Sequence, residues 1–169
     1  MNIHPPDSSG AGGHRYALRV YYEDTDSAGV VYHANYLRFA ERARTEALRE
    51  AGAAHAEMAA LHGLIFMVRR IKVDYLAPAR LDDSLFVLTR PVARRAASVE
   101  LRQSIFRCGE DRPLVVLQVL LACVRMADRR PGRLPARWQA ALMSLCEPCE
   151  EAGMAPLGRG EGTGRGSGD

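Results

Sequence analysis

From residue 16 to residue 22 apolar and polar side chains alternate, with Tyr16, Leu18, Val20 and Tyr22 on one side and Ala17, Arg19 and Tyr21 on the other. A two-residue period predicts a half-buried strand. From Tyr36 the period lengthens. Tyr36, Phe39, Ala40, Ala43, Ala47 and Leu48 recur at steps of three and four, while Arg38, Glu41, Arg42, Thr45, Glu46 and Arg49 take the opposite side. This predicts an amphipathic helix of about 16 residues and roughly 24 Å, with Asn35 as its N-cap and Gly52 as its left-handed stop. The inner face is mostly alanine, which lets a sheet approach the helix axis closely.

Residues 53–62 continue as a short, looser helix. Four strands then follow at hairpin spacing, over residues 64–74, 85–92, 98–107 and 114–125. Pro78 and the Leu81-Asp82-Asp83 segment separate the first pair, and residues 109–112 form a hairpin loop. Val99, Leu101 and Ile105 alternate with Glu100, Arg102 and Ser104, so that strand has one wet face. The run 114–124, broken only by Gln118, is apolar on both faces and reads as a central strand with a helix on one side and a partner on the other. It is far shorter than the roughly 20 residues needed to span a bilayer as a helix. Residues 131–135 end the sheet, and residues 137–145 form a terminal helix carrying Trp138. The fold class is α+β.

With 169 residues, 47% of them hydrophobic, the chain suits one domain. Its expected limits are residues 14–145. Residues 1–13, with Pro-Pro, Ser-Ser and Gly-Gly pairs, form a disordered tail, and residues 146–169 form a flexible glycine-rich tail. Glycine occupies every second position from Gly158 to Gly168, but no strand precedes it and no helix follows, so it is not a nucleotide loop. The first thirteen residues lack the pattern of a secretory signal, which points to the cytoplasm. A net charge of +3 does not argue for nucleic acid as a partner. The four cysteines, 108, 123, 146 and 149, then read as thiols, with the C-x-x-C of the last two an incidental pair.

Chemistry concentrates in one stretch, YYEDTDSAGVVYHANYLRFAERAR, residues 21–44. An aspartate in a turn before a helix is a cap, a turn former, a solvated acid or a carboxylate that acts on water, and on residue chemistry alone Asp26, beside the start of the helix, is open to each. Gly29 allows a tight turn between them, His33 adds a polar group, and Asp24 fixes the turn. Glu23, Asp24, Asp26 and His33 show no metal-ligand spacing, and Glu41 is expected to pair with a nearby arginine.

A strand, a D-T-D-x-x-G-V-V-Y-H turn, one long helix and a meander of four strands together resemble the hotdog fold, an antiparallel sheet wrapped around a central helix, of acyl-CoA thioesterases. Within that fold the stretch from Tyr21, with the later Y-L-A-P-A-R-L-D-D segment, is similar to the YbgC-type thioesterases associated with the Tol-Pal system and related to 4-hydroxybenzoyl-CoA thioesterases; the resemblance covers residues 15–137. It implies hydrolysis of acyl-CoA to a free acid and CoA without a cofactor or metal. Asp26 is then the general base or the nucleophile, His33 its polar partner, and the backbone N–H at His33 the holder of the thioester oxygen. Arg94 and Arg95, in A-R-R-A-A-S, resemble the loop that meets CoA phosphates. Ala40 departs from the family pattern, where a second aromatic after Phe39 is expected. The resemblance further implies a homodimer paired sheet edge to sheet edge, or a homotetramer, with each active site at the seam, and acyl carrier protein as a possible partner. Two alternatives use the same fold: a carrier-protein-binding module with vestigial hydrolysis, and a hydroxyacyl-thioester dehydratase.

Overall fold

The structure, a computed structural model, describes residues 12–146, and the two expected tails fall almost entirely outside them. The elements in chain order are β1 (His14–Arg19), a 3-10 turn (Tyr22–Asp24), α1 (Asn35–Glu50), α2 (His55–His62), β2 (Leu64–Tyr75), β3 (Ser84–Arg95), β4 (Ser98–Arg107), β5 (Pro113–Arg125) and α3 (Ala136–Ser144). The strands form one antiparallel sheet in the order β1-β3-β4-β5-β2. Helix α1 lies against the inner face. Among the described residues no helix is long and apolar enough to cross a membrane.

The hydrophobic period locates α1 to within one residue at its start. Tyr36, Phe39, Ala40, Ala43, Ala47 and Leu48 are all buried, and they pack on Leu85 and Val87 of β3, Val99, Leu101 and Ile105 of β4, and Leu117 and Val119 of β5. Gly52 ends the helical region at φ +70°, the left-handed conformation that costs glycine least. Arg44 shares the inner stripe and is buried, although a cation belongs on the wet side by pattern. It is received by a polar set built into the sheet. Arg44 Nη1 donates to Gln103 Oε1 at 3.5 Å, while Gln103 Nε2 donates to the Ala40 carbonyl at 2.8 Å and to Thr89 Oγ1 at 2.9 Å. Among the described residues Glu41 makes no ion pair with an arginine; its Oε1 accepts the Thr45 hydroxyl at 2.9 Å, and its charge acts on Arg44 only through space.

Three expectations change. The first strand stops at Arg19, and Tyr22 is exposed in the 3-10 turn rather than alternating inward. Asn35 is not the N-cap: Ala34 holds that position without a side-chain cap, because the Asn35 amide is committed to the Asp24 carbonyl at 2.9 Å. The four later strands are not a simple meander. β2 pairs with β5, not β3, so the first of the four lies beside the last. Eight residues, 76–83, link β2 to β3, enough chain to cross three inter-strand spacings of about 4.8 Å each. β5 is therefore internal, and β2 is an edge strand of 12 residues.

Candidate active site

The acidic turn is built by hydrogen bonds that consume one acid and leave another partly open. Asp24 is buried, and its Oδ2 accepts the Tyr21 N–H at 2.9 Å, while its carbonyl accepts the Tyr32 N–H and the Asn35 side chain. Its carboxylate thus organises the turn, as the sequence suggests. Thr25 and Val31 then bridge as an antiparallel pair, and the Asp26 N–H donates to the Val30 carbonyl at 2.9 Å. Residues 26–29 close the turn, with the Gly29 N–H donating to the Asp26 carbonyl at 3.0 Å and Gly29 at φ +72°. Within it Asp26 Oδ1 accepts the Ala28 N–H at 2.8 Å, the side-chain turn typical of aspartate. That bond fixes the carboxylate plane, and Oδ2 accepts no hydrogen bond among the described residues.

A pocket of about 360 Å³ opens beside this turn, lined by Asp26, Val30, Val31, His33, Tyr36, Tyr75, Leu76, Ala77 and Pro78. Asp26 and His33 therefore face one cavity, seven residues apart in sequence, because the Gly29 turn folds the chain back. The N–H of His33 donates to no acceptor among the described residues, and it precedes α1, whose uncapped start leaves the positive end of the helix dipole nearby. Asp26 and His33 thus line one pocket, and a carboxylate and a backbone N–H are groups that can activate water and hold an oxyanion.

Residues distant in sequence complete the walls. The Ala79 N–H donates to the Tyr36 hydroxyl at 2.8 Å, and burial pushes that phenol above its ordinary range. Val31 N–H donates to the Ala79 carbonyl, so residues 78–80 lie along the hairpin. Arg107 clamps that segment: its Nη2 donates to the Pro78 carbonyl at 3.0 Å and its Nε to Asp83 Oδ2 at 3.0 Å. Tyr75 donates its hydroxyl to the His33 carbonyl at 3.1 Å. Pattern reading has no means of assigning these roles to Tyr36, Tyr75 and Arg107. The segment starting at Tyr75 carries a signal in its unusual sequence, but only the crossing of β2 to the sheet edge brings it to the turn.

Arg94 and Arg95 are not in a loop. Both end β3, which a bulge between Pro91 and Ala93 carries past its proline, and they point to opposite faces. Arg94 Nη1 donates to Gln139 Oε1 of α3 at 2.7 Å. Arg95 lines a groove of about 420 Å³ on the outer face of the sheet with Arg69, Arg70, Ser98 and Glu100. Of the cysteine pair, Cys146 is exposed, and Cys149 lies outside the described residues.

Known proteins share this arrangement of sequence and fold. A profile described as the thioesterase-like superfamily matches residues 20–142. The acyl-CoA thioester hydrolase YbgC of Escherichia coli O6:H1 is 45% identical over 123 residues, spanning 72% of this chain and 89% of that protein. A 1,4-dihydroxy-2-naphthoyl-CoA hydrolase of Thermosynechococcus vestitus is 31% identical over 136 residues, 80% of this chain and 92% of its own. Among solved structures, the 1,4-dihydroxy-2-naphthoyl-CoA thioesterase of Synechocystis superposes with a TM-score of 0.75 at 26% identity, covering 81% of this chain and all of that one.

Proposed function

The chain belongs to the thioesterase-like superfamily, and from that premise we propose that it hydrolyses acyl-CoA to a free acid and CoA, with Asp26 and His33 as its working side chains. One observation supports the residue assignment: Asp26, whose carboxylate is held through one oxygen and open at the other, and His33, whose N–H meets no acceptor among the described residues, line one pocket.

Two routes fit that geometry. With Asp26 as base, it takes a proton from water as the oxygen adds to the thioester carbon. The oxyanion accepts the His33 N–H, the C–S bond breaks, and the proton passes to the departing sulfur. With Asp26 as nucleophile, its oxygen displaces the thiolate to give an anhydride, which water then cleaves. Both routes release one acid and one thiol and regenerate the carboxylate. Neither calls for a cofactor.

The outer groove supports a second element of the reading. Arg69, Arg70 and Arg95 line one groove with Ser98 and Glu100, so three guanidinium groups outnumber one carboxylate there, a donor set suited to phosphate oxygens. Arg95 is then the CoA-phosphate contact of the pair Arg94 and Arg95, with Arg94 tied to α3. The same cations suit an acyl carrier protein as the thiol handle. Subunits pair along the free edge of β2, which would put the pocket holding Tyr75 at the seam of a dimer or of a dimer-built tetramer.

The test is a thiol-release assay across acyl-CoAs of varied chain length and aromatic character, with acyl carrier protein thioesters alongside. The reading expects free thiol and free acid in equal amounts from at least one class. An enoyl product without thiol would make the protein a dehydratase, and carrier-protein binding without turnover would make it a docking module.

A further inference from the structure

β2 sends one side chain into the pocket that the scheme above does not use. The Tyr75 hydroxyl donates to the His33 carbonyl at 3.1 Å. Its ring meets the His33 imidazole edge-on, with centroids 6.3 Å apart, and the Tyr36 ring at 5.9 Å. One residue earlier, the Tyr32 carbonyl accepts the Asn35 N–H at 2.8 Å. The carbonyls on both sides of the His33 Cα are therefore held, one by the sheet edge and one by the first residue of α1, while the His33 N–H is left open.

We propose that Tyr75 is a positioning residue for thioester hydrolysis, its hydroxyl fixing the main chain at His33 so that the His33 N–H meets the oxyanion. The inference rests on the reading that Asp26 and His33 form the hydrolytic site. A donor lowers the barrier most when it is already oriented before charge develops, since no reorganisation is then needed during reaction. The His33 N–H shares a planar peptide unit with the Tyr32 carbonyl, which the Asn35 N–H holds, and Tyr75 holds the carbonyl of the next unit, so that without Tyr75 the two soft dihedrals at His33 are restrained from one side only. In the single chain the Tyr75 side chain is 48% exposed, so water replaces the bond of its hydroxyl easily and that bond adds little to the folding of the chain itself. What it adds is orientation. A benefit realised in the transition state appears in kcat, whereas the ring, which walls the pocket, contributes to ground-state binding and appears in KM.

The experiment compares wild type with Tyr75→Phe, which keeps the ring, and Tyr75→Leu, which does not, on the best-hydrolysed acyl-CoA. Asp26→Asn is run beside them. In Tyr75→Phe, kcat should fall about three- to tenfold at unchanged KM and thermal midpoint, the scale of one hydrogen bond. Tyr75→Leu should lose the same kcat and also raise KM. Wild-type kcat in Tyr75→Phe overturns the proposal, as does a loss accompanied by a lower thermal midpoint and a higher KM. If Asp26→Asn is inactive while Tyr75→Phe is normal, only the tether fails. Full turnover in Asp26→Asn would overturn the hydrolytic site, and the tether with it.

Discussion

Glu23, Asp24 and Asp26 are alike by sequence, and what separates them is where their oxygens go. Asp24 is buried and spends an oxygen on the Tyr21 N–H, whereas Asp26 is exposed with one oxygen anchored to Ala28. The sequence supports a catalytic assignment for Asp26 through its family resemblance, and the hydrogen bonds supply a physical reason for it. Individual polar residues on the helix are harder to read. Arg44 is buried because Gln103, 59 residues away, waits opposite it, and no local pattern announces that partner. His55 is a second such case. Its Nε2 is buried with no partner among the described residues, and burial pushes its pKa down; Glu41 opposes that shift, while Arg44 and Arg49 add to it. The folded state thus keeps His55 neutral where the unfolded chain already binds a proton, below about pH 6.5. More protons on the unfolded state mean that stability falls as pH drops from there towards the depressed folded-state pKa. Urea midpoints measured between pH 5 and 8 should show that loss in wild type and a shallower one in His55→Gln. Equal slopes in the two proteins would contradict it.

At the scale of elements, the periodicity places α1 and the strands to within about three residues, because each buries one face against a common core and the burial writes the period. Order across the sheet is not written that way. Hairpin-like spacing between β2 and β3 suggests neighbours, yet the eight-residue link carries β3 away and leaves β2 beside β5. Capping is equally non-local, since Asn35 leaves its helix end to hold Asp24. The crossing has a consequence for assembly. Among the described residues β2 has a strand on one side only, and its open edge, 12 residues long, exposes Met67, Val68 and Tyr75 beside the charged Arg69, Arg70, Lys72 and Asp74; an edge of that length is guarded by charge or paired, and the apolar side chains favour pairing. Sedimentation equilibrium should therefore give two or four times the mass of one chain, and Val68→Asp should shift the distribution towards smaller species. A wild-type protein that stays monomeric at micromolar concentration would contradict edge pairing.

In the whole molecule the sheet carries a cavity on each face. Its inner face holds α1 and, at one end, the Asp26 pocket; its outer face carries the arginine groove. The fold was legible from pattern and resemblance together, because one long helix and five strands admit few packings once the core is shared. The groove was legible only in part: the two adjacent arginines stand out in sequence, but strand alternation turns just one of them outward, and Arg69 and Arg70 join it from β2. If that groove meets CoA phosphates, Arg95→Ala should raise KM for acyl-CoA about fivefold, the scale of one partly solvated ionic hydrogen bond, and leave hydrolysis of the matching N-acetylcysteamine thioester unchanged. Equal effects on both thioesters would remove the groove from substrate binding. The central claim, that the open carboxylate oxygen of Asp26 performs the chemistry, is tested most directly by Asp26→Asn, which keeps the side-chain acceptor for the Ala28 N–H while removing the base. Thiol release from the best acyl-CoA should fall on the order of a hundredfold or more at an unchanged thermal midpoint. Turnover within a few-fold of wild type in a folded Asp26→Asn protein would contradict the account.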